Sequence, residues 1–160
     1  MDANRILLSY ELIGDQTPLG DDCGLRCGKA CCVPDEDGQG GMYLFPGEEE
    51  LYENETWCHI LPDPVHPILV CDGPCPRDRR PLACRIFPAT PVFSKGVWNI
   101  RMDARARAIC PLAQSGVRGL RRDFCLAVRG AIRLIAEDPE GAAFLQWWQS
   151  EEEAFRGFTL

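Results

Sequence analysis

Cysteine is the residue that dominates the chemistry of this chain, since ten cysteines occur among its 160 residues. Four of them form a CxxxCxxxCC run, and three more lie in the stretch VCDGPCPRDRRPLAC. A further cysteine precedes a proline, and Cys-Pro can end a run of ligands to an iron–sulfur cluster. Thiolates placed this densely among glycines and prolines suit soft metal ions or iron–sulfur clusters. The candidate metal ligands are Cys23, Cys27, Cys31, Cys32, Cys71, Cys75, Cys84 and Cys110.

The spacing of the first group requires a curled backbone if its thiols are to meet. In a regular helix Cys23 and Cys31 would be separated by about 12 Å along the axis. That is too far for one tetrahedral ion, whose bonds to sulfur are about 2.3 Å long. Gly24 and Gly28 each follow a cysteine and allow the chain to curl. Cys32 directly follows Cys31, and neighbours that point in different directions suit either two sites or two corners of one cluster.

The second group combines a turn with positive charge. The turn predicted at residues 72–74 allows Cys71 and Cys75 to face the same point. Two arginines lie close to the third cysteine of this group, and guanidinium groups stabilise anionic thiolates and clusters. Arg80 and Arg85 are therefore the candidate cofactor-binding side chains.

Charge is distributed unevenly along the chain, whose formal net charge is −7. Residues 1–63 carry 14 acidic and 3 basic side chains, whereas residues 64–136 carry 4 acidic and 13 basic ones. The acidic overall balance, and the lack of a basic motif interleaved with aromatic residues, argue against nucleic acid as a partner. We instead expect Arg80 or Arg85 to pair with an acidic residue such as Asp21, Asp22 or Glu48, or to hydrogen-bond the backbone of the metal loops.

Four further residues are weaker candidates for metal chemistry. Cys125 lies at the edge of an apolar helical stripe, which predicts a packed core thiol. The role of Cys58 is left open. His59 and His66 could complete a mixed Cys/His zinc site, although their surroundings lack the spacing of a zinc finger.

The N-terminal sequence favours a cytoplasmic protein without a membrane span. It has an acidic residue at position 2 and no long apolar region, so it does not resemble a secretory signal. No apolar run approaches the roughly 20 residues that cross a bilayer. Because cytoplasmic thiols stay reduced, clustered cysteines there indicate metal binding; a disulfide scaffold is the alternative.

Short elements are predicted before residue 110. Residues 5–13 are apolar enough for a strand or a helix, and residues 20–41 form a metal loop. The other predicted elements are a strand at 41–45, a helical turn at 48–54, strands at 57–61 and 67–71, and a hairpin at 91–101 with its turn at 94–96.

Two helices are predicted near the C-terminus. Ser115 caps the first, whose apolar stripe consists of Val117, Leu120, Phe124, Val128, Ala131 and Ile135. The opposite face carries four arginines that we expect to be solvated: Arg118, Arg122, Arg129 and Arg133. Asp138 and Pro139 begin the second helix. Its aromatic residues, Phe144, Trp147, Trp148 and Phe155, are expected to pack in the core or against a second chain.

These elements predict an α+β fold in one small domain spanning residues 1–160. Irregular cysteine-rich loops and short strands or hairpins occupy about 20–112, which is the metal-binding part. Helices occupy about 115–156. At 17.9 kDa the chain is long enough to bury a core of its own.

Three motifs give the chain a resemblance to the YkgJ-type cysteine-cluster family, which is described as a zinc- or iron-chelating domain. They are the CGLRCGKACC run, the LFPGEEE segment and, above all, RPLACRIFP at residues 80–88. The resemblance covers about residues 20–112, and Cys110-Pro111 is similar to a later Cys-Pro of the family. The family's leading run has two residues between cysteines, whereas this chain has three. The resemblance implies chelation of zinc or iron, and the family also includes the much longer flagellin lysine N-methylases.

The sequence therefore predicts a cytoplasmic protein that chelates an iron–sulfur cluster, of the 4Fe-4S type, or zinc. All-sulfur coordination beside arginines favours the cluster. One alternative is a zinc-stapled module that binds a protein partner. Another is an enzyme related to protein-lysine N-methylation, with a protein as its substrate.

Overall fold

The computed structural model describes residues 1–33, 40–73 and 75–158. The α-helices in these ranges are α1 (Ala3–Ile13), α2 (Gly24–Cys27), α3 (Leu82–Ile86), α4 (Arg122–Ala136) and α5 (Pro139–Phe158). The strands are β1 (Met42–Tyr43), β2 (Cys58–Leu61), β3 (Ile68–Cys71), β4 (Ala89–Ser94) and β5 (Val97–Met102). Antiparallel strands and segregated helices make this the α+β domain that the sequence predicts.

A small antiparallel sheet lies beside the cysteine loops, with strand order β1-β3-β2. The strands predicted at 57–61 and 67–71 are confirmed as β2 and β3. The strand predicted at 41–45 is shorter, because the Phe45 N–H donates to Glu48 Oε2 at 2.9 Å and not to a neighbouring strand. The predicted helical turn contains a 3₁₀ turn at Glu49–Leu51.

The predicted hairpin is confirmed as the pair β4 and β5. Its turn consists of Lys95 and Gly96, whose φ angles are 53° and 79°. Two consecutive residues with positive φ match the right-handed twist of the flanking strands. Residues 5–13, for which strand and helix were both open, belong to α1, which packs against α4 and has Ile6 and Ile13 buried.

Helix α4 begins later than the sequence predicts. The expected cap was Ser115, but the helix starts at Arg122 and is preceded by two short 3₁₀ turns. Gly116 separates these turns with φ at 59°, in the left-handed region that a continuous helix cannot contain. The expected apolar stripe is nevertheless buried from Leu120 onward. On the opposite face, Arg129 and Arg133 donate to Asn99 Oδ1 and Trp98 O at 2.7 and 3.2 Å, so they contact the hairpin instead of being wholly solvated.

Helix α5 begins as predicted. Asp138 Oδ1 accepts hydrogen bonds from the backbone N–H groups of Glu140 and Gly141 at 2.9 and 3.1 Å. Phe144 and Trp148 are buried in the main core, whereas Phe155 remains 40% exposed. Among the described helices, α5 included, none combines the length and apolar character needed to cross a membrane.

Two apolar clusters hold these elements together. The larger one joins α1, α3, the hairpin, α4 and α5. The smaller one lies against the three-stranded sheet and consists of Leu44, Tyr52, Cys58 and Leu69. Helix α3 carries Cys84 and contributes Leu82, Ala83 and Ile86 to the main core, so it connects the second cysteine group to that core.

Candidate metal centre

The first cysteine group is curled, as its spacing requires. Cys23 precedes α2 and Cys27 ends it. Gly28 and Lys29 then both have φ at 60°, which reverses the chain before a 3₁₀ turn at Ala30–Cys32. A lysine rarely occupies the left-handed region, so the surrounding loop holds this conformation against its intrinsic preference.

The second group lies on three different elements. Cys71 is the last residue of β3, Cys75 follows in the loop, and Cys84 lies in α3. The turn predicted at 72–74 includes Pro74, which lies outside the described residues. Residues 34–39 of the predicted metal loop also lie outside them. Cys110 approaches from a more distant segment, directly before a 3₁₀ turn at Pro111–Ser115.

A cavity of about 40 Å³ is lined by five of the predicted thiols and by Arg80, Met42 and Phe87. We call it the Cys75 cavity. Its volume exceeds the roughly 10–15 Å³ that one water molecule requires. Its thiols are those of Cys31, Cys32, Cys71, Cys75 and Cys84.

An adjoining cavity of about 80 Å³ lies between the segment after α1, the first cysteine group and the segment that carries Cys110. We call it the Cys110 cavity. Four guanidinium-bearing side chains line it, together with apolar residues such as Phe87 and Leu112. Its thiols are those of Cys23, Cys27, Cys31, Cys84 and Cys110.

The two cavities together are lined by all eight thiols that the sequence singles out. These eight are exposed or partly exposed, whereas Cys58 and Cys125 are each only 5% exposed. Cys58 is part of the smaller apolar cluster, and Cys125 belongs to the main core. The interpretation of Cys125 as a packed core thiol is therefore confirmed.

The thiols of the Cys75 cavity influence one another's ionisation. Burial first, and the neighbouring Cys75 next, raise the pKa of Cys71 to about 12. Burial also raises the pKa of Cys84 well above its ordinary value, with Cys32, Cys75 and Cys71 adding to the effect. A cation or cluster that binds such crowded thiols neutralises the charge of their ionised forms together, and so stabilises those forms.

Cys32 departs from this trend. Its pKa falls to about 6, first because the Cys31 thiol, 3.9 Å away, can donate a hydrogen bond to it. The charges of Arg80 and Lys29 add to this and together outweigh burial. The same contact raises the pKa of Cys31, so these neighbours divide one proton between them.

The two candidate arginines have different surroundings. Arg85 donates from Nε to Arg80 O at 2.8 Å and from another guanidinium nitrogen to Asp78 O. These are the hydrogen bonds to loop backbone that we expect of either Arg80 or Arg85. It also lies 4.4 Å from the centre of the Tyr10 ring. Arg80 lies beside Cys75 and lines both cavities. Its Nε is buried and has no hydrogen-bond partner among the described residues.

The ion pair between the two cysteine groups is made by a different arginine from the two expected. Arg77 contacts Asp22 at 3.2 Å, next to Cys23. Arg79 pairs instead with Glu55. The basic segment between Cys75 and Cys84 is thus directed toward acidic and backbone groups of the same molecule.

Glu48 is a functional candidate that sequence reasoning assigned only as a possible arginine partner. Its carboxylate is fully buried and accepts hydrogen bonds from Leu82 N at 2.6 Å, from Phe45 N at 2.9 Å and from the Tyr10 hydroxyl. Burial raises the pKa of this carboxyl group, and the hydrogen bonds oppose that shift. Because Leu82 is the first residue of α3, Glu48 fixes the helix that carries Cys84. The EEE run around Glu48 gave no signal that one member is buried.

Neither histidine lines the two cysteine cavities. His59 Nδ1 lies 2.7 Å from Asp72 Oδ1 at the surface. His66 packs on Trp147 and Phe144, with ring centres 4.4 and 4.7 Å apart, and burial lowers its pKa. These contacts give both histidines a role in packing or surface pairing.

Within the described residues, no group of three or more His, Cys, Asp or Glu side chains has the geometry of a formed metal site. The donor set nevertheless suits a soft metal or cluster, since all ten cysteines are free and eight surround common cavities. Binding would require the thiols to draw together around the ion or cluster.

Comparison of the chain with protein-family models, curated proteins and solved structures gives no significant match. The resemblance to the YkgJ-type family therefore depends on the quoted motifs alone.

Proposed function

We propose that this chain binds a metal centre through its eight clustered cysteines, and that it belongs to the YkgJ-type family. The observation that carries the proposal is that these eight thiols line two adjoining cavities, whereas Cys58 and Cys125 are buried in apolar clusters. The proposed ligands are Cys23, Cys27, Cys31, Cys32, Cys71, Cys75, Cys84 and Cys110.

An iron–sulfur cluster of the 4Fe-4S type is favoured over zinc. Both are held by four thiolates, so ligand number alone does not separate them. Arg80 favours the cluster, because it lines both cavities with a buried Nε–H that lacks a partner among the described residues. Sulfide ions of a cluster accept hydrogen bonds, and such bonds tune its reduction potential. When bound, the cluster would supply one-electron chemistry or structural support.

The cytoplasm is the proposed location, because thiolate ligands must stay reduced and disulfides are rare there. All ten cysteines have free thiols in the structure, which supports this proposal. The lysine-modifying activity implied by the family resemblance stays a prediction.

Purification without oxygen tests the proposal. We expect a brown protein with broad visible absorption, iron and acid-labile sulfide. A colourless protein with stoichiometric zinc and no sulfide would exclude the cluster and favour the zinc-stapled module that binds a protein. A protein that contains neither metal, and takes up neither after reduction, would contradict metal binding itself.

A further inference from the structure

The linings of the two cavities overlap only in part, which bears on how many centres the thiols form. Three thiols line the Cys110 cavity alone, namely Cys23, Cys27 and Cys110. Three others line the Cys75 cavity alone, namely Cys32, Cys71 and Cys75. Two thiols, Cys31 and Cys84, line both.

We propose that the eight thiols form two separate four-thiol metal centres, one at each cavity. This inference rests on the proposed function and adds the number and membership of the centres. Zinc and the 4Fe-4S cluster each take four thiolates, so each set of three needs one of the two shared thiols.

The neighbours of the shared thiols assign each of them to a centre. A third cavity, of about 40 Å³, is lined by Cys84 together with Cys31, Cys32 and Cys71, and by none of the thiols exclusive to the Cys110 cavity. Cys84 therefore completes the set of the Cys75 cavity. Cys31 is left for the Cys110 cavity, and together with Cys27 it lines a further cavity that no other described thiol lines.

The paired sequence Cys31-Cys32 is then the point at which the two centres meet. Their sulfur atoms lie 3.9 Å apart, yet only Cys31 reaches the Cys110 cavity. Adjacent residues thus supply one ligand to each centre.

Arg80 occupies a position that suits two neighbouring anionic centres, because its side chain lines both cavities. Four thiolates around a divalent ion carry a net charge of −2, so two such centres repel each other. A guanidinium group between them offsets that repulsion and can donate to sulfur on both sides.

Titration with Co(II) alone tests the number of centres. The full chain is reduced, freed of metal and titrated under nitrogen against a weak competing chelator, and native mass spectrometry counts the ions bound to each chain. We expect two Co(II) ions in the wild type, one in Cys75→Ser, one in Cys110→Ser and none in the double variant. Cys125→Ser is the matched control, because its thiol lines neither cavity, and it should retain both ions.

A second pair of variants guards against simple misfolding. Cys71→Ser should reproduce Cys75→Ser, and Cys23→Ser should reproduce Cys110→Ser, with wild-type circular dichroism spectra. A wild type that binds one Co(II) ion, lost equally in Cys75→Ser and Cys110→Ser, would overturn the two-centre inference and leave metal binding intact. A wild type that binds no Co(II), and assembles no cluster when given iron and sulfide without oxygen, would overturn the proposed function as well.

Discussion

Arg77 and Asp22 form an ion pair, 3.2 Å apart, that joins the two cysteine groups across the surface. Asp22 also accepts a hydrogen bond from the Gly24 N–H at 3.1 Å, so the same carboxylate holds the first turn of α2. Arg77 lies in the 3₁₀ turn between Cys75 and Cys84. One contact thus fixes the position of one thiol-bearing segment relative to the other.

A double-mutant cycle on Arg77→Gln and Asp22→Asn measures this contact. Both side chains are more than one third exposed, so we expect a coupling free energy of only about 0.5 kcal/mol, which falls further in high salt. Asp22→Asn retains an acceptor for the Gly24 N–H and so isolates the charge. Chemical unfolding of the four proteins gives the value. A coupling that does not change in high salt would show that the pair does not act by charge.

Arg80→Gln should weaken metal binding by about tenfold, the lower end of the range for residues that support metal ligands. The physical reason is the loss of the guanidinium group that lies beside Cys75 and Cys32. Arg79→Gln is the matched control, because Arg79 pairs with Glu55 and lines neither cavity. Competition against a chelator of known affinity measures both variants. Equal losses in the two would indicate a general effect of positive charge.

Glu48→Gln should lower the free energy of unfolding by about 2 kcal/mol, because an amide N–H₂ must then face one of the donors that now reach the carboxylate. The start of α3 should loosen with it, so metal content should fall as well. Glu50→Gln, at an exposed position in the same turn, should change neither quantity. Urea unfolding and metal analysis check the pair. Full stability in Glu48→Gln would show that the buried carboxylate does not hold α3.

Glu152 should give the chain a distinct loss of stability in acid. Its burial opposes ionisation, but hydrogen bonds from Arg156 and the Ala104 N–H, with the charge of Arg101, lower its pKa overall. A carboxyl group with a lowered pKa in the folded state stabilises the fold above the pKa of the unfolded chain. That stabilisation is lost as pH falls through the folded pKa.

The measurement is thermal unfolding of Glu152→Gln and the wild type between about pH 6 and pH 3. Near neutral pH the variant should be less stable by about 3 kcal/mol, the lower end of the range for breaking a buried ion pair. The difference should shrink toward pH 3. Glu151→Gln, at an exposed position, serves as the control. A difference that stays constant with pH would contradict the ionised form of Glu152.

Local signals in the sequence predicted many of the regular elements. Asp138-Pro139 marks a helix start because a cap and a fixed φ act within one turn. Strands β2 and β3 follow from short apolar runs separated by prolines. The predicted start of α4 is wrong because the possible cap at Ser115 is followed by Gly116, whose positive φ interrupts the helix.

The candidate site was predictable in membership and not in arrangement. Cysteine density identified seven of the eight thiols that line the cavities, since clustered thiols are chemically unusual, and the Cys110-Pro111 pair marked the eighth. Their division between the cavities depends on how α3 and the segment before Pro111 dock, which no local pattern specifies. No local pattern shows that Arg77 forms the ion pair expected of Arg80 or Arg85, or that Glu48 is buried.

The wide separation of the cavity-lining thiols along the chain has a consequence for biosynthesis. Neither lining is complete until Cys84 has been synthesised. The Cys110 cavity also needs Cys110, which lies 78 positions after Cys32, the last cysteine of the first group. During translation the first cysteine group therefore leaves the ribosome before the segments that complete either cavity. Its free thiols must stay unoxidised over that interval, and a metal ion that arrives early meets only part of its ligand set.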